Sequence, residues 1–111
     1  MADTYNVKIT AQAKNQMQEI AQYIASELQV PDAALHLLDT LESEISSLSE
    51  FPQRIALTEE EPWHNYGIHK MPVKNFLVYF WIDEDAYKVQ VTAAVYSRRD
   101  QARQLSQMQM E

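Results

Sequence analysis

Cysteine is absent from the 111 residues. Its absence removes a disulfide framework, a thiolate nucleophile and any cysteine-based zinc site. Glycine occurs once, at Gly67, and there is no Walker loop, nucleophile elbow or Gly/Ser linker. No apolar run approaches the roughly 20 residues needed to cross a bilayer. The opening MADTYNVKIT has neither the basic nor the apolar region of a secretory signal. These absences lead us to expect no membrane association and a cytoplasmic location. Positive charge is scarce too: nine bases face sixteen acids, a net charge of −7. That balance disfavours general nucleic-acid binding, which draws its affinity mostly from neutralised phosphates.

What is present suffices for one folded unit. The length fits a single domain, residues 1–111, with one packed core, and 46% of the chain is apolar. The charge is uneven. Residues 1–50 hold Lys8 and Lys14 against eight acids, while residues 51–111 hold seven bases against eight acids. A local positive patch therefore has to come from the second half.

Hydrophobic periodicity divides the chain. Residues 5–9 alternate apolar and polar, as a short strand does. Thr10 is placed to cap a helix whose stripe is Met17, Ile20, Ala21, Ile24 and Leu28. Pro31 and Asp32 suit the first turn of a second helix, with Ala34, Leu37, Leu38, Leu41, Ile45 and Leu48 on its apolar side. Two such helices with a short connection form a hairpin. Residues 53–65 read as a polar loop, and residues 66–71 as a strand that Pro72 ends or confines to a sheet edge. The run FLVYFWI, 76–82, has the continuous apolar character of a central strand covered on both faces. After a turn at 83–86, residues 87–96 alternate, with Tyr87, Val89, Val91, Ala93 and Val95 predicted on one face. A last polar helix is predicted over 98–107. The order β-α-α-β-β-β, with a short C-terminal helix, predicts an α+β domain: a helical hairpin on one face of a mostly antiparallel sheet. The other face is expected to stay open.

The chemistry-bearing residues of that open side are His69, Lys70, Lys74, Tyr96, Arg98 and Arg99, with Arg54 from the loop. Arginine's planar fork matches phosphate, so bases gathered near one strand end can hold a polyanion. The same bases also serve as solvated surface charge paired with Asp83, Glu84, Asp85 and Asp100. Histidine is a common proton-transfer residue, which makes His69 one candidate, and a tyrosine beside arginines, Tyr96, is a second. His64, His69 and Glu61 do not reproduce a metal-ligand spacing, so neither metal nor cofactor is expected.

Taken in order, VPDAALHLLDTLESEISSLSEFPQR, HKMPVKNFLVYF, IDED and VYSRRD resemble the RelE/ParE superfamily of type II toxins, once called plasmid stabilisation proteins. The resemblance runs from Tyr5 to about Leu105. It implies a helical hairpin on a curved sheet, a cognate antitoxin that wraps the toxin, and a toxin–antitoxin hetero-oligomer. It also implies growth arrest, either by metal-independent mRNA cleavage on the ribosome or by inhibition of DNA gyrase. As an mRNA interferase, the chain would use Arg98, Arg99, Tyr96 and His69 catalytically. Arg54, Lys70, Lys74, Arg98 and Arg99 would meet nucleic acid or antitoxin. Phe76 stands where interferases usually carry an arginine, no aromatic follows Tyr96, and the chain is acidic. Those departures motivate the alternative of a non-toxic module of the same fold that only binds an antitoxin.

Overall fold

In a computed structural model of the chain, residues 4–27, 31–74 and 76–96 are described. Strand β1 (Asn6–Ile9) leads into helix α1 (Ala11–Gln22), whose first turn is closed by Thr10. The Thr10 hydroxyl accepts from the Ala13 N–H at 3.2 Å, satisfying one of the donors that every helix start leaves unpaired. The helix widens into a π-helical turn at Tyr23–Glu27. Helix α2 (Pro31–Ser46) opens on Pro31, with Asp32 in its first turn, and ends in a 3-10 turn at Ser47–Ser49. Strands β2 (His69–Val73), β3 (Phe76–Asp83) and β4 (Lys88–Tyr96) follow.

The sheet runs β1-β4-β3-β2, with β1 parallel to β4 and the other pairs antiparallel. β3 is a central strand, as its apolar run predicts. Pro72 lies within β2, an edge strand, where a missing N–H is tolerated. The strand predicted from residue 66 begins only at His69, because residues 66 and 67 belong to the preceding turn. Gly67 sits at φ +80° there, with open space around its α-carbon, so backbone freedom rather than crowding is what glycine supplies.

The predicted α1 stripe is buried at Met17, Ile20, Ala21 and Ile24, as is the α2 stripe at Ala34, Leu41, Ile45 and Leu48; Leu28 lies outside the described residues. These side chains meet Met71, Val73, Phe76, Val78, Phe80, Val89 and Val91 in one core on the helix-covered face. Burying each such aliphatic or aromatic side chain contributes about 1.5–3 kcal/mol, which is why both helices lie on this face.

Two expectations are corrected. First, β4 does not keep one alternation. Tyr79 pairs with Ala93 but Phe80 pairs with Val91, so Thr92 is an extra residue at a bulge. The slip moves Ala93 and Val95 to the outer face and turns Ala94 and Tyr96 toward the helices. Tyr87 precedes the strand and adopts φ +51°. Second, the outer face is not bare. Ile68, Tyr79, Ala93 and Val95 form a smaller core there, with Trp63, Leu77 and Trp81 packed on it. Residues 56–58 run along the free edge of β2, through Thr58 N–H to the Ile68 carbonyl at 2.8 Å and Lys70 N–H to the Ala56 carbonyl at 3.2 Å. The predicted C-terminal helix lies outside the described residues.

Candidate functional site

The five candidate residues that the structure describes do not gather into one constellation. His69 heads β2 on the helix-side face. Its ring stacks on Phe80 at 5.1 Å and 11°, and Nδ1 donates to the Ile55 carbonyl at 2.7 Å. Tyr96 closes β4 on the same face, buried against Phe76 with ring centroids 5.5 Å apart. Through the register, Tyr96 stands level with Phe76 and Val73, whereas His69 stands level with Phe80. Four strand residues separate those levels, roughly 13 Å. A single substrate proton cannot be shared across that gap.

The cations divide as well. Arg54 is the last residue of the 3-10 turn Pro52–Arg54, and its guanidinium folds back on the turn that ends α2. It donates to the Glu50 carbonyl at 2.6 Å, the Phe51 carbonyl at 3.0 Å and the Ser47 hydroxyl at 2.9 Å. Glu50 closes the 3-10 turn that ends α2, so Arg54 caps that turn and ties it to Phe51 and Ser47. Lys70 lies on the outer face and pairs with Glu60 at 2.9 Å. Lys74 occupies the β2–β3 turn at φ +56° and forms no ion pair among the described residues. It borders a shallow apolar groove of about 320 Å³ that Ile24, Ala33, His36, Leu37 and Thr40 also line. Arg98 and Arg99 lie outside the described residues.

Phe76 is 1% exposed within the helix-side core. A cation at this place would be taken out of water into an apolar cluster, so the aromatic belongs to packing.

The densest polar arrangement is one the sequence does not single out. Glu60 receives Lys70 Nζ and the Thr58 hydroxyl on Oε1, and the Tyr79 hydroxyl at 2.9 Å on Oε2. Partial burial alone would raise the Glu60 carboxyl. The three donors and the charge of Lys70 outweigh it and hold the group below its ordinary value of 4.5. Burial, the bond to Glu60 and the Glu60 charge push the Tyr79 phenol well above its usual range, so it stays a donor. His64 adds a bond from Nδ1 to the Thr58 carbonyl at 2.8 Å, and Trp81 Nε1 donates to Gln90 at 2.7 Å nearby on the same face. Three successive glutamates, 59–61, look equivalent in the sequence; only the fold selects the middle one. No group of three or more His, Cys, Asp or Glu suited to a metal occurs among the described residues.

Comparison with known proteins agrees with this architecture. The family model described as "ParE toxin of type II toxin-antitoxin system, parDE" matches residues 7–102. A chain of the chromosomal ParDE toxin–antitoxin system from P. aeruginosa is similar at a TM-score of 0.70 and 15% identity, covering 86% of this chain and 98% of that one. A chain of the RelBE2 toxin–antitoxin complex from Mycobacterium tuberculosis gives a TM-score of 0.58 at 16% identity, covering 84% and 91%. At those identities the likeness is one of fold. No curated protein matches the sequence.

Proposed function

The chain belongs to the family of ParE toxins of type II toxin–antitoxin systems, and from that premise we infer that it is the toxin of such a pair, bound and silenced in the cytoplasm by a cognate antitoxin in a hetero-oligomer. The observation that carries this reading is the family match across residues 7–102. Both similar structures come from toxin–antitoxin systems, which supports the same kind of partner.

For the target we propose DNA gyrase rather than the ribosome. Cleavage of mRNA calls for free cations and a proton-transfer group around one phosphate. Among the described candidates, Arg54 caps a helix, Lys70 is neutralised by Glu60, and His69 and Tyr96 stand at different levels of the sheet. Arg98 and Arg99 are assigned to the contact with target or antitoxin, following the resemblance of VYSRRD.

Inducing the chain alone in a bacterial host, with early pulse-labelling of DNA and protein synthesis, tests the reading. A fall in DNA synthesis first is expected, and Arg98→Ala with Arg99→Ala should relieve it. A fall in protein synthesis first would transfer the assignment to mRNA cleavage. Unimpaired growth with folded protein would leave a module that binds antitoxin without toxicity.

A further inference from the structure

We propose that Thr58, Lys70 and Tyr79 form an anion seat on the outer face of the sheet, fitted to a phosphate of single-stranded nucleic acid, and that the Glu60 carboxylate occupies this seat in the resting protein. The assignment does not depend on which target the toxin has.

The geometry is that of a ligand and its site, both supplied by one chain. Three donors from three segments converge on one carboxylate. Lys70 comes from β2, Tyr79 from β3 and Thr58 from the strip beside β2. Each carboxylate oxygen meets at least one donor, as two oxygens of a phosphodiester would. Thr58 and Tyr79 are fully buried and fixed by the sheet. Lys70 and Glu60 have side chains 29% and 32% exposed. The carboxylate can therefore leave toward solvent while the donors stay in place.

The surroundings suit unpaired bases. Trp63 and Trp81 pack on the small core that holds Tyr79, and Tyr66 lies edge-on to Trp63 at 6.0 Å with 58% of its surface exposed. Flat aromatic faces beside a cation are the equipment of single-strand binding, since bases stack on them without sequence preference. What the face lacks is net positive charge, and Glu60 is the cause nearest to hand. With the carboxylate seated, Lys70 presents no unpaired charge and an incoming phosphate meets a like charge. A purely structural ion pair that pins residues 58–60 would account for the contacts but not for a binding gain when Glu60 is removed.

The test compares the full chain with Glu60→Ala, Glu60→Gln and Glu60→Ala/Lys70→Met. Binding of a short fluorescent single-stranded RNA is followed by anisotropy over a salt series, with circular dichroism as the folding control. Glu60→Ala should bind about tenfold tighter than the parent, the size of one charge-assisted contact. Its affinity should fall more steeply with salt, by about one phosphate contact. Millimolar inorganic phosphate should compete, and Lys70→Met should abolish the gain. Where Glu60→Ala does not fold, Glu60→Gln removes the charge at nearly constant volume and should show a smaller gain of the same sign. A folded Glu60 variant that binds no tighter than the parent overturns the proposal. So does a gain that survives Lys70→Met, and so does competition by phosphate with no gain for RNA, which would make the seat one for small anions only.

Discussion

The backbone N–H of Ala94 donates to the side-chain oxygen of Gln16 at 2.9 Å, joining α1 to β4 across 78 positions. β1 pairs with β4 only from Lys88 to Val91. Beyond that, Thr10 N–H meets the Val91 carbonyl at 3.0 Å and Gln16 takes the next outward N–H. The helix thus completes an edge that the short strand leaves open, as buried backbone donors require. Gln16→Leu strands the Ala94 N–H, a loss of about 1–3 kcal/mol. The Gln16 amide nitrogen is itself buried without a partner among the described residues, and removing it offsets part of the loss. We expect a net cost near the low end, about 1 kcal/mol, read as a fall in melting temperature of about 4–8 °C. An unchanged melting temperature would show that the edge finds another acceptor.

Arg54→Ala should lower stability by about 1 kcal/mol, the usual scale of a helix cap. Arg54→Lys should recover little of it, because a point charge cannot reach the Glu50, Phe51 and Ser47 acceptors together. Urea midpoints of the three proteins decide the matter. Full stability in Arg54→Ala, with weakened antitoxin binding, would place Arg54 at the interface instead.

Glu60 ties stability to pH. Its carboxyl titrates below 4.5 in the folded chain, so the folded state binds protons less readily than the unfolded one. Its contribution is fully present above the unfolded value and is lost as pH falls through the lower, folded value. The melting-temperature difference between the parent and Glu60→Gln should therefore be constant near neutrality and shrink below about pH 4.5. A difference that grows in acid would contradict the assigned direction.

Tyr96 separates packing from chemistry. Its ring lies against Phe76 in the helix-side core. Tyr96→Phe should keep both stability and growth arrest, while Tyr96→Ala should cost about 3–5 kcal/mol. Loss of arrest in a stable Tyr96→Phe protein would restore the hydroxyl as a functional group.

Much of the fold is legible one segment at a time. Thr10 announces α1, Pro31 and Asp32 announce α2, and the apolar run from Phe76 announces a strand between two neighbours, each through a rule that acts within a few residues. The bulge at Thr92 has no such signature. Residues 88–96 alternate acceptably in either phase, and only pairing with β3 determines where the extra residue falls. That single slip carried Tyr96 from the open face, where alternation put it, into the core.

The candidate site follows the same division. The sequence by itself determined the helical hairpin, the strand order along the chain and the family resemblance of PVKNFLVYF and VYSRRD, because helix caps, apolar periods and motif spacing are local properties. Tertiary structure alone decided which charges are free. Arg54 found carbonyls four and three residues back, Lys70 met Glu60 across ten, and Glu60 met Tyr79 across nineteen. Electrostatic partnership depends on distance in space, and in this chain it folded Arg54 onto backbone carbonyls, paired Lys70 with a carboxylate and made a glutamate in a loop the centre of a polar cluster on the sheet's outer face.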